Sequence, residues 1–253
     1  MISKNQINNI RSLHLKKNRD LRKQFIAEGV KTVLELIKYR PDCLVEIYAT
    51  EDFVIQNGDK IASNNINYFS ITEHELEKIS LQSTPNKVIA ICNYFENQDV
   101  KIDFNTNFIL YMDDIRDPGN FGTILRLANW FGSYTVFCSP QSCDVYNPKV
   151  IQSSMGAFMR VNCKYLNLSE LVNKNKIQNI YGAVLTGNNL YKQNLQNGLI
   201  VVGNEANGIS AENLKLINKP ITIPCHVNNG TESLNAAMAA SIIIAEFYRQ
   251  LGT

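Results

Sequence analysis

The chain has 253 residues, 45% of them hydrophobic and 19% charged, with a formal net charge of +2. Such a chain carries a real core and has room for two domains or one large one. No apolar run approaches the ~20 residues needed to span a bilayer, and the start, MISKNQINNIRSLHLKKNRD, lacks the apolar core of a signal peptide, so the cytoplasm is the expected location. Six cysteines are scattered without a CxxC pair, which points to reduced core thiols. Cys138 and Cys143 flank a proline-containing loop, but no His or further Cys lies near them, so no metal site is expected.

Charge is segregated along the chain. Residues 1–40 hold ten Lys and Arg, among them Arg11, Lys16, Lys17, Arg19, Arg22 and Lys23, against the three acids Asp20, Glu28 and Glu35. Two readings stand: this end of the molecule contacts a polyanion, or it is a solvated helix face.

In chain order, residues 1 to 39 read as two helices, the first with Ile7, Ile10 and Leu13 on its apolar side. The second, 29–39, has Val30, Val33, Leu34 and Ile37 at helical spacing and stops before Pro41. Strands are predicted at 44–49 and 66–71, a short helix at 73–79 and an apolar strand at 87–93. The polar, weakly patterned stretch 97–106 marks a boundary between a small α/β module and a larger one. Beyond it the texture changes to short, fully apolar strands at 108–112, 134–138, 180–185, 199–202 and 221–223. Polar loops and helices alternate with them, the helices near 121–131, 148–158 and 211–217. Strands apolar on both faces that alternate with helices predict a mostly parallel sheet covered on both sides. Ligands of such sheets sit beyond the carboxyl ends of the strands. The last helix is alanine-rich and apolar all round from Ala236 to Ile244, which predicts a buried core helix.

Three loops at strand ends carry polar groups out of keeping with their surroundings. In the first, Asp-Pro-Gly-Asn is turn chemistry and Asn120 can cap the helix that follows. Arg126 lies in that helix among Ile124, Leu125, Leu127, Ala128 and Trp130. A buried arginine there needs an anion: a salt bridge to Asp113, Asp114 or Glu205, or a phosphate or reacting oxygen of a ligand. In the second loop, Gly203 and Gly208 bracket Glu205, with a spacing unlike GxxxxGK[ST] or GxGxxG, so nucleoside-triphosphate and dinucleotide binding are disfavoured. A carboxylate there suits a cationic or hydroxyl-bearing ligand. The third loop ends in Ser233-Leu234-Asn235 at the mouth of the last helix, where Ser and Asn serve as N-caps.

The three loops NFGTILR (120–126), GNEANGIS (203–210) and IPCHVNNGTESLNAAMAAS (223–241) resemble, in order and spacing, the motifs of the SpoU (TrmH-type) RNA ribose methyltransferases. These belong to the SPOUT superfamily of methyltransferases with a trefoil knot. The resemblance implies a methyltransferase domain at 107–253 and, on the looser likeness of 16–37 and 83–91, an RNA substrate-binding domain at 1–97. It implies a homodimer that uses S-adenosyl-L-methionine to methylate a ribose 2′-hydroxyl, with the knot formed where the chain after Ile223 threads an earlier loop. It assigns Asn120, Arg126, Glu205, Ser233 and Asn235 to catalysis and RNA placement. Thr186, Gly187, Gly203, Ile223, Pro224 and Leu234 would hold the cofactor. The stretch KVIQSSMG (149–156) resembles a further RNA-facing element, with Gln152 where many relatives carry a basic residue. The fused N-terminal module favours ribosomal over transfer RNA; a base methyltransferase or a non-catalytic RNA-binding protein on the same fold are the rival readings.

Methyl transfer from a sulfonium requires in-line placement of the ribose oxygen, and positioning alone can supply ~7–11 kcal/mol. A guanidinium, with a pKa above ~12, is a poor proton acceptor. Arg126 is therefore read as a clamp on the adjacent phosphate and on a developing alkoxide, with the proton leaving to phosphate or water. With RNA as the partner, the basic N-terminal segment becomes an RNA contact. Removal of residues 1–95 is expected to weaken RNA binding and flatten its salt dependence while cofactor binding persists; equal RNA affinity in the truncated protein refutes the contact.

Overall fold

Ten strands and ten α-helices sort into two separate sheets in the computed structural model, which describes residues 2–96, 108–226, 230 and 232–252. In chain order the elements are α1 (Lys4–Ser12), α2 (Lys16–Arg22), β1 (Gln24–Glu28), α3 (Val30–Tyr39), β2 (Leu44–Ala49), α4 (Glu51–Ser63), β3 (Asn67–Ser70), α5 (Glu73–Ile79) and β4 (Val88–Asn93). Then follow β5 (Phe108–Met112), α6 (Pro118–Trp130), β6 (Thr135–Cys138), α7 (Pro148–Ser154), β7 (Asn162–Tyr165) and α8 (Leu168–Asn175). The chain closes with β8 (Ile180–Asn189), β9 (Gly198–Val202), α9 (Ala211–Leu214), β10 (Lys219–Thr222) and α10 (Ala236–Leu251). Among the described residues no helix is long and apolar enough to cross a membrane.

The N-terminal sheet has the order β1-β4-β2-β3, antiparallel except for the parallel pair β2–β3. Alternation along the strands sends Ile26, Tyr48, Ile89 and Ile91 into one cluster with Ile10 and Leu13 of the α1 end and Leu76 and Ile79 of α5. Capping boxes start both helices, Ser3 with Gln6 and Thr72 with Glu75. The elements predicted at 29–39, 44–49, 66–71, 73–79 and 87–93 are present as α3, β2, β3, α5 and β4, whereas β1 and α4 went unread. β1 is a five-residue strand held between a left-handed Lys23 (φ 54°) and Gly29 (φ 97°), too short to announce a period of two.

Arg19 corrects the reading of the basic segment. It is 2% exposed, and its guanidinium donates to the carbonyls of Leu13 (3.0 Å) and His14 (2.8 Å), filling the open acceptors at the end of α1. It is a structural arginine. Arg11, Lys16, Lys17, Arg22 and Lys23 are exposed, Arg22 donating to the side chain and carbonyl of Asn9 and Lys23 lying over the Tyr94 ring.

The boundary predicted at 97–106 lies outside the described residues. The chain nevertheless divides less simply than a single cut there, because Tyr146–Met159 belongs to the compact unit of Met1–Asn97, and Gln98–Val145 with Arg160–Thr253 forms the other. Aromatic packing explains this. Tyr146 stacks on Phe25 (4.8 Å) and Tyr94 (4.0 Å), Phe158 stacks on Phe95 (5.8 Å), and the Tyr146 hydroxyl accepts the Phe95 N–H (2.9 Å). Helix α7 lies against β1. A truncation at residue 95 thus also strips the partners of residues 146–158.

The second sheet has the order β10-β8-β9-β5-β6-β7, and all five pairings are parallel, as the fully apolar strands predicted. Ile109, Tyr111, Leu199 and Val201 face Leu168 and Leu171 of α8. On the other side Phe247 of α10 meets Phe108 and Tyr181, and α10 packs along α6. Strand β7 and helix α8 went unread because β7 is only half-buried and mixes polar with apolar residues. The last helix is not buried all round: Met238, Ala245 and Tyr248 are exposed along one stripe. Glu246, although buried, is forked by Arg249 (2.7 and 2.8 Å), which with Gln250 holds its carboxyl down to about 2.

The aromatic cluster makes a measurable claim. Phe25 is fully buried, and truncation to Ala is expected to cost about 3–5 kcal/mol. Thermal denaturation of Phe25→Ala should show the melting temperature falling by several degrees, together with faster proteolytic cleavage within 146–159; an unchanged melting curve would show that the cluster does not anchor this segment.

Candidate active site

The strand order doubles back at β5: β6 and β7 lie to one side, and β9, β8 and β10 to the other. The carboxyl ends of β5 and β9 therefore mark the switch point of the sheet, the usual ligand position in open parallel sheets. The loops that leave them are stitched to each other. The Asp113 N–H continues the ladder to the Val202 carbonyl (2.8 Å), and the buried Asp113 carboxylate accepts the Ser210 N–H (2.8 Å). The Asn204 side chain donates to the Asp114 carbonyl (2.9 Å).

Within the loop after β9, Asn204 and Gly208 exchange backbone hydrogen bonds (3.0 and 2.9 Å), and the Asn204 side-chain oxygen accepts from the amides of Ala206 and Asn207. The turn leaves no room for a side chain at Gly203, where a Cβ would lie 2.2 Å from the Gly208 carbonyl carbon, and it needs Gly208 at φ +66°. Glu205 is carried, half-buried, on the tip.

The loop after β5 is locked by two buried serines that sequence reasoning passed over. Ser139 Oγ accepts the Asp114 N–H (2.9 Å); Ser142 Oγ accepts the Ile115 N–H (3.2 Å) and donates to the Met112 carbonyl (3.0 Å). Only pairing of β5 with β6 brings them there, so no local signal marks them. Burial, and next the Asp113 charge, raises the Tyr111 hydroxyl above its ordinary value; it donates to the Leu166 carbonyl.

Asp117, not Asn120, caps α6: its carboxylate accepts the Asn120 N–H (2.7 Å), and Pro118 occupies the first helical position. This frees the Asn120 side chain, which donates through Nδ2 to Glu205 Oε1. Asn120 Oδ1 in turn accepts from Asn235 Nδ2 (2.9 Å). Asn235 caps α10 as predicted, its Oδ1 accepting from Ala237 (3.0 Å) and Met238 (3.3 Å). One residue from each of the three loops thus joins a single hydrogen-bonded chain.

Arg126 departs from expectation. It is exposed and makes no hydrogen bond or ion pair with the described residues. Its helix turns Phe121, Ile124, Leu125 and Ala128 inward, so that residues adjacent in sequence point away from it; Trp130, on the same outer side, is 83% exposed. None of the three proposed acids pairs with it: Asp113 is held by Ser210, Asp114 by Arg116 (2.7 Å) and Glu205 by Asn120. Ser233 is exposed, and no hydrogen bond joins it to Asn120, Glu205 or Asn235.

The residues expected around a cofactor line the neighbouring strand ends. β8 runs past its predicted end at 185 to Asn189; Tyr181 and Gly182 pair with Lys219 and Pro220, Asn188 and Asn189 with Ile221 and Thr222, and 183–187 form an excursion between. Gly187 presses on the Ile221 backbone, where a Cβ would lie 2.5 Å from the carbonyl carbon. Thr186, Pro224 and Leu234 are exposed, Gly203 and Ile223 half-buried, and residues 227–229 and 231 lie outside the described residues.

With this geometry stand the likenesses to known proteins. The profile of the SpoU rRNA Methylase family matches residues 107–245, and that of the MRM3-like substrate binding domain matches residues 4–90. The chain belongs to the SpoU rRNA methylase family. It is 27% identical over 247 residues to the 23S rRNA (guanosine(2553)-2′-O)-methyltransferase of Bacillus subtilis, with 96% of each chain covered. A solved structure of a TrmH-family protein from Porphyromonas gingivalis superposes with a TM-score of 0.82 at 32% identity, covering 99% of each chain. The S-adenosylmethionine-bound rRNA methyltransferase of Sinorhizobium meliloti shares the fold, with a TM-score of 0.85 at 22% identity over 100% of this chain and 98% of that one.

The tight turn beneath Glu205 is testable by substitution. Gly203→Ala is expected to destabilise by roughly 1–3 kcal/mol, because backbone rather than a flexible side chain must yield. Gly58→Ala, in open space within α4, should be neutral or stabilising by roughly 0.5–1 kcal/mol. Urea denaturation of both variants reads the difference, and equal midpoints refute the close approach.

Proposed function

We propose that this protein transfers the methyl group of S-adenosylmethionine to a ribose 2′-hydroxyl of RNA, ribosomal RNA before transfer RNA, and works as a cytoplasmic homodimer. The observation that carries the reading is the junction of Asn120, Glu205 and Asn235 beyond the carboxyl ends of β5 and β9, inside the stretch matched by the SpoU rRNA methylase profile. The ribosomal RNA ribose methyltransferase from Bacillus subtilis, alike over nearly its whole length, supports the substrate class. The cofactor bound in the Sinorhizobium meliloti structure supports the methyl donor.

The residues present fit such a cofactor. Thr186, Gly187, Gly203, Ile223, Pro224 and Leu234 offer backbone groups and small or apolar side chains without charge, suited to an adenosine held by main-chain hydrogen bonds, and Glu205 suits a neighbouring cation. Bound there, the cofactor supplies an electrophilic methyl group. Arg126, exposed and without an anionic partner among the described residues, is available to grip an RNA phosphate. The exposed Arg11, Lys16, Lys17, Arg22 and Lys23 provide further phosphate contacts from the N-terminal unit. The contact of Gly187 with Ile221 supports a tightly threaded trefoil knot after β10. The adjoining helices α6 and α10, with exposed Trp130, Met238 and Tyr248, support dimer formation through their outer faces.

Incubation with total bacterial RNA and labelled S-adenosylmethionine, followed by mapping of 2′-O-methyl positions, tests the reading. Label in the ribosomal fraction at one ribose is expected; label on a base, or none, overturns it. Arg126→Lys should lower turnover at least tenfold by losing the two-pronged phosphate grip, and near-normal turnover removes the clamp.

A further inference from the structure

We infer that the cavity at the carboxyl ends of β2 and β3 binds an organic cation, a guanidinium or alkylammonium group on a basic protein segment or a free polyamine. The site lies wholly within the N-terminal unit and stands apart from the methyl transfer. β2 and β3 are parallel neighbours, followed in the chain by α4 and α5. Leu76 and Ile79 of α5 join the cluster on the Tyr48 side of the sheet, with Ile10 and Leu13. Phe53 and Ile61 of α4 are equally buried but lie outside that cluster, and α4 packs against α3. The two helices thus leave their strands towards opposite sides of the sheet. The gap between such helix starts is a switch point, where open sheets take their ligands. A cavity of about 710 Å³ opens there, within the usual range for a small-molecule site.

The lining is acidic: Glu51, Asp52, Glu73 and Glu75 stand against Lys78 and His74. Two of the carboxylates are engaged. Glu75 accepts the Thr72 (3.0 Å) and Ile2 (2.8 Å) N–H groups, bonds that hold its carboxyl below the ordinary value, and Asp52 faces Lys87 at 3.7 Å. Glu51 and Glu73 are exposed and have no partner among the described residues. Independent of this charge is Thr50, which lines the same cavity and is 7% exposed. Its Oγ1 has no hydrogen-bond partner among the described residues and makes no capping bond, the Phe53 N–H going to the Thr50 carbonyl (3.1 Å). A buried hydroxyl without a partner is costly, so the position favours a ligand that donates to it. The carboxylates repel a phosphate, and no aromatic side chain is among the lining residues to stack a base. Among the described residues no group of His, Cys, Asp and Glu could hold a metal ion, so the cation is organic. A guanidinium or ammonium group meets both demands, donating to Oγ1 and pairing with Glu51 and Glu73.

Calorimetry on the full chain without RNA, at about 0.15 M salt to screen unspecific attraction, tests the site. Two probes separate the sources: spermidine, and an acetylated, amidated glycine pentapeptide with arginine at its centre. The same peptide with citrulline in place of arginine is the uncharged control. One-to-one binding of either cation, tighter than about 1 mM, is expected, and the tighter of the two names the source. Glu51→Gln combined with Glu73→Gln should weaken that binding at least about fivefold, and Thr50→Val roughly tenfold. Thr50→Val should leave the melting temperature unchanged or raised, because the hydroxyl it removes has no partner in the free protein. A melting temperature lowered by Thr50→Val shows Oγ1 at work in the fold and overturns the site. So does binding of neither cation, equal affinity in the double glutamate variant, or a citrulline peptide that binds as tightly as the arginine one.

Discussion

The polarity of one helix terminus governs the site. Two amide protons at the start of α10 fix the oxygen of Asn235, and that orientation passes through Asn120 to Glu205. Three loops far apart in sequence are held in mutual register by side chains that have no freedom to turn over. The turn under Glu205 adds to this rigidity, since Gly203 and Gly208 are in contact and Asn204 occupies both arms of the loop while reaching across to the loop after β5. An active site assembled from strand-end loops needs such bracing, because loops are otherwise the least constrained parts of an α/β fold.

Below the site, the buried carboxylate of Asp113 does similar work for the backbone. It satisfies the Ser210 N–H where β5 and β9 diverge, and Ser139 and Ser142 satisfy the amides of Asp114 and Ile115 on the other flank. Each of these N–H groups lies beyond the strand ladder, and an unsatisfied buried amide costs roughly 1–3 kcal/mol. Side chains, rather than further strand pairing, meet that demand at the carboxyl ends of β5 and β9.

The N-terminal unit captures a piece of the later chain. Tyr146 and Phe158 enter its aromatic cluster, so the stretch that resembles an RNA-facing element of the family, 149–156, is mechanically part of the unit that carries the basic residues. Any change of position of one is shared by the other. Arg19, in contrast, leaves the basic surface and serves α1, which shows how a charge count over a segment conflates solvated groups with structural ones.

Local chemistry made much of this protein legible. Helices with a regular apolar stripe, such as α3, or a capping box, such as α5, and strands apolar on both faces, such as β5 and β9, announce themselves within a few residues. The parallel sheet and the three polar loops at its rim were readable for the same reason, as was Asn235 as a cap. Short β1 and half-polar β7 were not, because their strand character comes from their neighbours. Nor could the amino acid order alone tell that Arg126 faces outward, that Asp117 takes the cap expected of Asn120, or that Ser139 and Ser142 brace the first loop. Those outcomes depend on which face of a helix meets the sheet and on which strand lies beside which, and such long-range packing leaves no periodic trace along the chain.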